Sequence, residues 1–523
     1  MSSVPSSSVQ TTSTDGESRS AHLVLVTASA ACALIVLDTN VVAVSLPAIA
    51  RTFHAGFADV EWVVSAYMVA FAACLLPSGG LADRFGRKTM LLAGLGIFAL
   101  ASLGCGLALS VQMLDIARAV KGLGAALLLT SALAIIANTF HGGPSRERAW
   151  AFWGACMGVA TTVAPLAGGV ITQWLGWRWI FLLNLPVCAM LAWSAWKTVT
   201  PSANPQAGPL DIAGGLLFGL SLALGIWGLV GTQTDGWDSR MTALRFAGSA
   251  VLMLAFIWVE RGRTHPMIDL TLFRQARFVG AVLAMFGYAA CAQVMMTFLP
   301  LYLQNAFAFS AVAAGLGMLP FAVAMIAGPY LGRALSTRVR SGALLSLGLT
   351  LIGVGNLLTA IVAGTGHYGL VAIGMVVTGC GAGVLNGDTQ KAIVACVPPE
   401  RTGMASGIST TTRFTAIVTS VGVLGAVLAS RTRSAFDATP VVTAAGGHHF
   451  DSTFMSRVLA GDVASATANL SDAMRMVVSE AARASFASGF GAALDVAGVI
   501  ALVIAIGVWV LVTPREAKVA RGL

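Results

Sequence analysis

The chain has 523 residues, 57% of them hydrophobic and only 10% charged, with a formal net charge of +9 and a mean hydropathy of +0.82. Soluble domains carry about 25% charged residues, so this composition excludes a water-soluble globular protein. Repeated apolar runs of about 18 residues or more identify a polytopic membrane protein.

The N-terminal stretch "MSSVPSSSVQTTSTDGES" holds no Lys or Arg before Arg19, unlike the basic leading region of a signal peptide. Residues 1–20 are therefore expected to be a disordered tail. Hydropathy then predicts fourteen helices that span the bilayer. The first six lie near 22–48, 58–79, 88–109, 113–138, 148–172 and 177–197. Two more follow near 210–231 and 244–261, and the last six near 278–303, 311–333, 342–364, 368–396, 404–430 and 488–512. Connections are short except for the polar segment 431–487.

With both termini placed in the cytoplasm, the tails and cytoplasmic loops hold 18 of the 31 Lys and Arg residues. The short outer loops hold four, the long loop five and the spans four. That asymmetry satisfies the positive-inside rule, and it accounts for the net charge without a nucleic-acid partner. The eight cysteines all fall in apolar runs, so no disulfide framework and no metal site are expected. The adjacent His448 and His449 do not make a metal site by themselves. Trp174, Trp177 and Trp179 cluster at one end of a span and read as interfacial anchors.

An ionisable side chain inside the bilayer costs about 2.5–3.5 kcal/mol on insertion scales and marks a functional site by default. Six stand out. Asp38 lies in span one, and Arg118 and Lys121 lie in span four at i, i+3 spacing, on one helix face. The stretch "NGDTQKA" puts Asp388, Gln390 and Lys391 in span twelve, and Arg413 follows in span thirteen. An Asp388–Arg413 pair is the favoured partnership. Four positive charges against two negative predict a cavity for acidic, zwitterionic or neutral amphipathic compounds. Trp153, Met295, Met296, Phe298 and Tyr302 are candidates for its apolar lining.

The charged loop between spans two and three, "GGLADRFGRK", carries a pattern as well as an orientation signal. Its spacing does not fit a phosphate-binding loop: five residues separate Gly80 from Gly86, Arg87 interrupts the Gly-Lys pair, and no strand precedes it. The residues Gly79, Leu81, Ala82, Asp83, Arg84, Gly86, Arg87 and Lys88 instead resemble motif A of the major facilitator superfamily. A degraded echo, Gly332, Ser336 and Arg340, follows span ten. "LDTNVVAVSLPAI" (37–49), "EWVVSAYMVA" (61–70), "WRWIFLLNLPV" (177–187), "LPLYLQ" (299–304), "AAGLGMLP" (313–320) and "PPERTGMASGISTTTRF" (398–414) resemble the fourteen-span drug:proton antiporter branch.

The resemblance implies an all-α carrier working by alternating access. Its N-terminal half is 21–200, the inserted helices occupy 201–265, the C-terminal half is 266–513 with the outer loop 431–487, and a tail covers 514–523. It implies that Asp83, Arg84 and Arg87 latch the conformational change, and that Arg118, in a match to R-x-x-Q-G-x-G, takes part in proton transfer with Asp38. Lys121 departs from that motif, where Gln is usual. The antiporter motif of span five keeps Pro165, Gly168 and Gly169 but has Ala160 and Ala164 in place of its early glycines.

A proton gradient is the implied energy source, with no cofactor and no enzymatic activity. The implied partners are protons, a small amphipathic substrate and the lipid of a bacterial plasma membrane, and a single chain is the expected working unit. Export of the substrate is the leading reading. Import of an organic anion with protons, or a transporter-like sensor or channel with little turnover, remain as alternatives.

Overall fold

A computed structural model describes residues 14–520 apart from 141–142, 204–210, 233–234, 264–267, 294, 337, 398–401 and 441–449. Fourteen helices are long and apolar enough to cross a membrane, and no strand occurs among the described residues. In a bilayer every backbone polar group must be satisfied within the protein, which helices achieve segment by segment.

The first half comprises α1 (Thr14–Phe53), α2 (Phe57–Phe85), α3 (Arg87–Gly106), α4 (Val111–Thr139), α5 (Gly143–Trp174) and α6 (Trp179–Thr198). The inserted hairpin is α7 (Ile212–Gly231) and α8 (Arg240–Gly262). The second half comprises α9 (Ala276–Asn305), α10 (Ala311–Ser336), α11 (Ser341–Val362), α12 (Tyr368–Val394), α13 (Thr402–Asp437) and α14 (Asp472–Ala520). An even number of spans puts both chain ends at one face, here called the terminal end. The opposite face is the far end.

Several starts are fixed locally by side-chain caps. Ser110 accepts a hydrogen bond from Met113 N (3.2 Å) at α4, Asp211 from Gly214 N (2.8 Å) at α7, and Ser310 from Ala313 N (3.2 Å) at α10. Two helices break in the middle. In α9 a π-helical turn covers Ala289–Gln293, and such turns leave carbonyls that neighbours must satisfy. Ser420 donates to Ala290 O (2.6 Å) and Asn356 to Cys291 O (2.8 Å). In α12 the helix breaks at Asn386 and Gly387.

Three expectations change. The polar tail ends sooner than residue 20, because α1 already begins at Thr14. At the other end α14 runs on to Ala520, so 514–520 continues the last helix. The outer segment 431–487 is not a loop throughout. The end of α13 and the start of α14 occupy much of it, and two short helices, Ser452–Leu459 and Val463–Ala466, fold between them. Phe436, Phe454, Met455, Val458, Val478 and Ala482 give this cap its own small core. His448 and His449 lie outside the described residues.

Candidate functional site

Asp38, Arg118 and Lys121 meet. Arg118 Nη1 donates to Asp38 Oδ2 at 2.7 Å, and Lys121 Nζ donates to Asp38 Oδ1. The i, i+3 spacing on α4 aims both bases at α1, and Gly122 lets α4 lie directly on the α2 backbone at Tyr67 and Phe71. All three side chains are 0–1% exposed. Arg118 is therefore not reaching for the membrane surface.

The surrounding groups complete the coordination. Arg118 Nε donates to Val63 O (2.9 Å), and its guanidinium lies 4.2 Å from the Tyr67 ring centroid. Lys121 Nζ lies 4.5 Å from the Phe98 ring and 4.9 Å from Phe181, a placement in which ring quadrupoles offset part of the lost hydration. Asn184 Nδ2 adds a bond to Asp38 Oδ1 at 3.2 Å. One carboxylate thus faces two bases in a dry site, and Arg118 Nη2 is left without a partner among the described residues.

Lys121 was expected to line a substrate cavity and does not. Aromatic rings and Asp38 seal it inside the first half, because the face it shares with Arg118 is turned toward α1. Asn184 was not singled out, although "FLLNLPV" displays a lone amide in an apolar run. Two further carboxylates, Asp115 half-buried and Glu61 buried, lie at the far ends of their helices. Asp115 lies one turn before Arg118 and interacts electrostatically with Asp59 and Arg118. Glu61 is 4% exposed, and its carboxylate packs against Gly425 of α13.

The second group is arranged differently from the sequence expectation. Asp388 pairs with Lys391 (2.9 Å), not with Arg413. The break at Asn386 and Gly387 turns Asp388 toward Gly332 of α10, away from α13. Lys391 is 80% exposed on its side chain and Gln390 is half-buried. Arg413 instead donates from Nε to Gln293 Oε1 at 2.7 Å, with the Tyr288 ring 5.9 Å away. Gln293 closes the π turn of α9, so the partner depends on a backbone irregularity that hydropathy does not report.

Among the apolar candidates, Trp153 is half-buried against Trp150. Met295, Met296 and Phe298 are buried in α9. Tyr302 is not a cavity residue: its ring stacks on Phe490 at 4.1 Å and its hydroxyl donates to Ala363 O at 2.7 Å. Trp177 is no interfacial anchor either. It is buried and donates from Nε1 to Thr52 Oγ1 at 2.9 Å, while Trp174 and Trp179 are exposed.

The two halves join at the far end. Gly168 of α5 lies on Val41 of α1, Gly169 lies on the Ala311 backbone of α10, and the Pro165 carbonyl lies over Gly315. The missing side chains are what permit that approach. Gln173 Oε1 accepts from Val312 N (3.3 Å), and Gln304 Nε2 donates to Val44 O (2.9 Å). The cap ties in as well: Phe57 N of the first half donates to Ser456 Oγ at 3.1 Å, and Asn305 of the second half to Val458 O at 3.5 Å. Gly461, at φ +89°, fits between Pro47 and Asn305. Toward the terminal end the same helices face open space. A Cβ added at Gly79 of α2, or at Gly154 or Gly158 of α5, would meet nothing within 4 Å.

Residues 28–422 match the Major Facilitator Superfamily. The chain belongs to that superfamily. It is 32% identical over 413 residues to the multidrug resistance protein Stp of Mycobacterium tuberculosis, covering 79% of this chain and 76% of that one. It is 30% identical over 480 residues to the tetracenomycin C resistance and export protein of Streptomyces glaucescens, covering 90% and 88%. Among solved structures, a bacterial homologue of the human lysosomal transporter Spinster matches with a TM-score of 0.65 at 17% identity, covering 93% of this chain and 96% of the other. The protein is thus a multi-pass membrane transporter of the superfamily.

The superfamily's motif A loop sits at the terminal end, between α2 and α3. Gly86, at φ +95°, is the single residue between the two helices and makes the turn, a conformation glycine adopts without strain. Arg87 Nη2 donates to Asp83 Oδ1 at 3.2 Å, Arg87 N donates to Ser202 O at 2.9 Å, and Lys88 Nζ donates to Trp196 O at 2.6 Å. Arg84 is exposed beside Phe85. These bonds hold the loop to the end of α6.

Proposed function

We propose that the protein exports small amphipathic compounds in exchange for protons, with both termini in the cytoplasm. The buried Asp38–Arg118–Lys121 cluster carries this reading. A carboxylate that faces two bases, far from bulk water, has a charge balance that depends on its proton. It sits where α1, α2, α4 and α6 converge, so a change in that balance acts on how these helices pack. The export and resistance proteins named above support the direction of transport.

With the terminal end cytoplasmic, the far-end clamp closes the outer side. Asp388 and Lys391 neutralise each other, and Lys121 is sealed away. The base that remains is Arg413, half-buried and held by Gln293. That leaves a single positive charge for a carboxylate or polar oxygen of the substrate, and apolar contact supplies the rest of the binding.

Motif A is read as the latch for the opposite state. Here Asp83 pairs only one turn along the chain and is 42% exposed, a pair worth under about 1 kcal/mol to stability. Asp83→Asn is therefore expected to leave membrane level and melting temperature unchanged. Transport should fall at least about fivefold, the lower end for a coupling free energy of about 1–3 kcal/mol. Undiminished transport would remove the latch role.

The deciding experiment follows internal pH in proteoliposomes under an imposed proton gradient, as lipophilic cations, amphipathic anions and neutral amphipaths are added in turn. Proton counterflow on adding neutral or acidic compounds is the expected result. A response to cations alone would overturn the substrate class. Protons moving in the same direction as an anion would mean import, and no proton movement with any compound would overturn the coupling.

A further inference from the structure

Arg118 has a second carboxyl within reach besides Asp38. The α2 and α4 helices both start at the far end and lie side by side, with Arg118 Nε on Val63 O and Gly122 on the α2 backbone at Tyr67 and Phe71. In that register Asp115 comes level with Val60 and beside Asp59. It lies about 4.5 Å nearer the far end than Arg118, at 1.5 Å per residue. The groups that face it electrostatically are Asp59 of α2, Arg118 of its own helix and Cys105 of α3.

The two carboxyls differ in what supports a charge. Asp38 accepts hydrogen bonds from Arg118, Lys121 and Asn184. Asp115 Oδ1 is buried and has no hydrogen-bond partner among the described residues, and neither has Arg118 Nη2. The i, i+3 spacing makes Asp115 and Arg118 neighbours on one helix face, yet Arg118 is ion-paired to Asp38 and not to Asp115. An acid and a base one turn apart, each with an unused atom, are the arrangement left when the acid carries a proton and the base is committed elsewhere.

We propose that Asp115 is the entry station for the proton that reaches Asp38, and that Arg118 pairs with whichever of the two carboxyls is ionised. The inference rests on the reading that Asp38 exchanges a proton. Asp115 forms its O–H bond with a proton from the outer side, past the half-buried Asp59. That bond then breaks, a new O–H bond forms on Asp38, and Arg118 turns its Nη2 to the Asp115 carboxylate. Water admitted as the far end opens carries the proton across. Lys121 keeps its charge throughout, so the total charge of the four groups is the same before and after the transfer, and only its place changes. The arrangement described above is the first of these two states.

The test titrates the infrared carbonyl band of protonated carboxyls in the purified full chain, without substrate or gradient. At neutral pH the unaltered protein should show a band that Asp115→Asn removes. Arg118→Gln leaves Asp38 paired with Lys121 and takes away the cation beside Asp115. It should raise the pH at which that band disappears by about one unit, the lower end of what a neighbouring charge does. Asp38→Asn, which frees Arg118 for Asp115, should lower that pH by about as much. In the internal-pH assay Asp115→Asn should slow proton counterflow about 100-fold, the lower end for a positioned proton donor, and Asp115→Glu should retain it. No band that depends on Asp115, or a midpoint unmoved by Arg118→Gln, would overturn the exchange of partners. Undiminished counterflow in Asp115→Asn would overturn the entry role. If the unaltered protein moves no protons with any compound, the coupling itself fails, and the infrared titration still decides whether the two carboxyls share Arg118.

Discussion

Asp38→Asn is expected to abolish gradient-driven transport and to destabilise the protein. The amide keeps the shape of the side chain but removes the carboxylate that pairs with both Arg118 and Lys121. Stranding one partner of a buried ion pair typically costs about 3–5 kcal/mol, and here two bases share the loss. Adding Lys121→Met should recover much of the lost stability, because it removes one stranded charge and leaves an apolar chain among Phe98 and Phe181. It should not restore proton-driven transport. Melting temperature and internal-pH traces on the single and double variants separate the two effects. If Asp38→Asn keeps proton counterflow, Asp38 is a structural counter-ion and the proton is carried elsewhere.

Gly169→Leu is expected to move the protein away from the conformation described here. Gly169 lies on the Ala311 backbone where α5 crosses α10, so a leucine side chain has backbone, not a movable side chain, in its way. Overpacking of this kind costs about 1–3 kcal/mol, and the far-end-closed state bears that cost while a state opened there escapes it. The ratio of the two states should shift by roughly 5- to 150-fold. Spin labels at Leu109 and Thr365, exposed positions of the two halves at the far end, would report a longer-distance population. Transport should slow because the return to the closed state becomes the difficult step. An unchanged distance distribution would show that the clamp yields without opening the halves.

Much of this architecture was legible before any coordinates. The apolar stretches that became α1 to α14 can be recognised one at a time, because crossing hydrocarbon is a demand each helix meets alone. That Arg118 and Lys121 share one face was likewise legible, since i, i+3 spacing is a property of a single helix; their meeting with Asp38 was implied by the family resemblance and not by the spacing. The caps at Ser110, Asp211 and Ser310 are equally local.

What the tertiary structure decided is which face each helix turns inward and which partner each charge finds there. Lys121 and Arg118 read alike in sequence, yet both are enclosed only because Phe98, Phe181 and Asn184 arrive from α3 and α6. Asp388 loses Arg413 to Gln293 because one helix breaks at Asn386–Gly387 and another winds into a π turn. Neither irregularity leaves a trace in average hydropathy, and each rotates a side chain out of the register that 3.6 residues per turn would predict. The cap over the far end depends on the same kind of information. Its core joins Phe436, Phe454 and Val478, residues brought together by the ends of α13 and α14 and by no local pattern. Sequence determined where the chain crosses the membrane and which charges it carries there, because both are costs paid residue by residue. Pairing, sealing and clamping were settled only by the packing of helices distant in the chain.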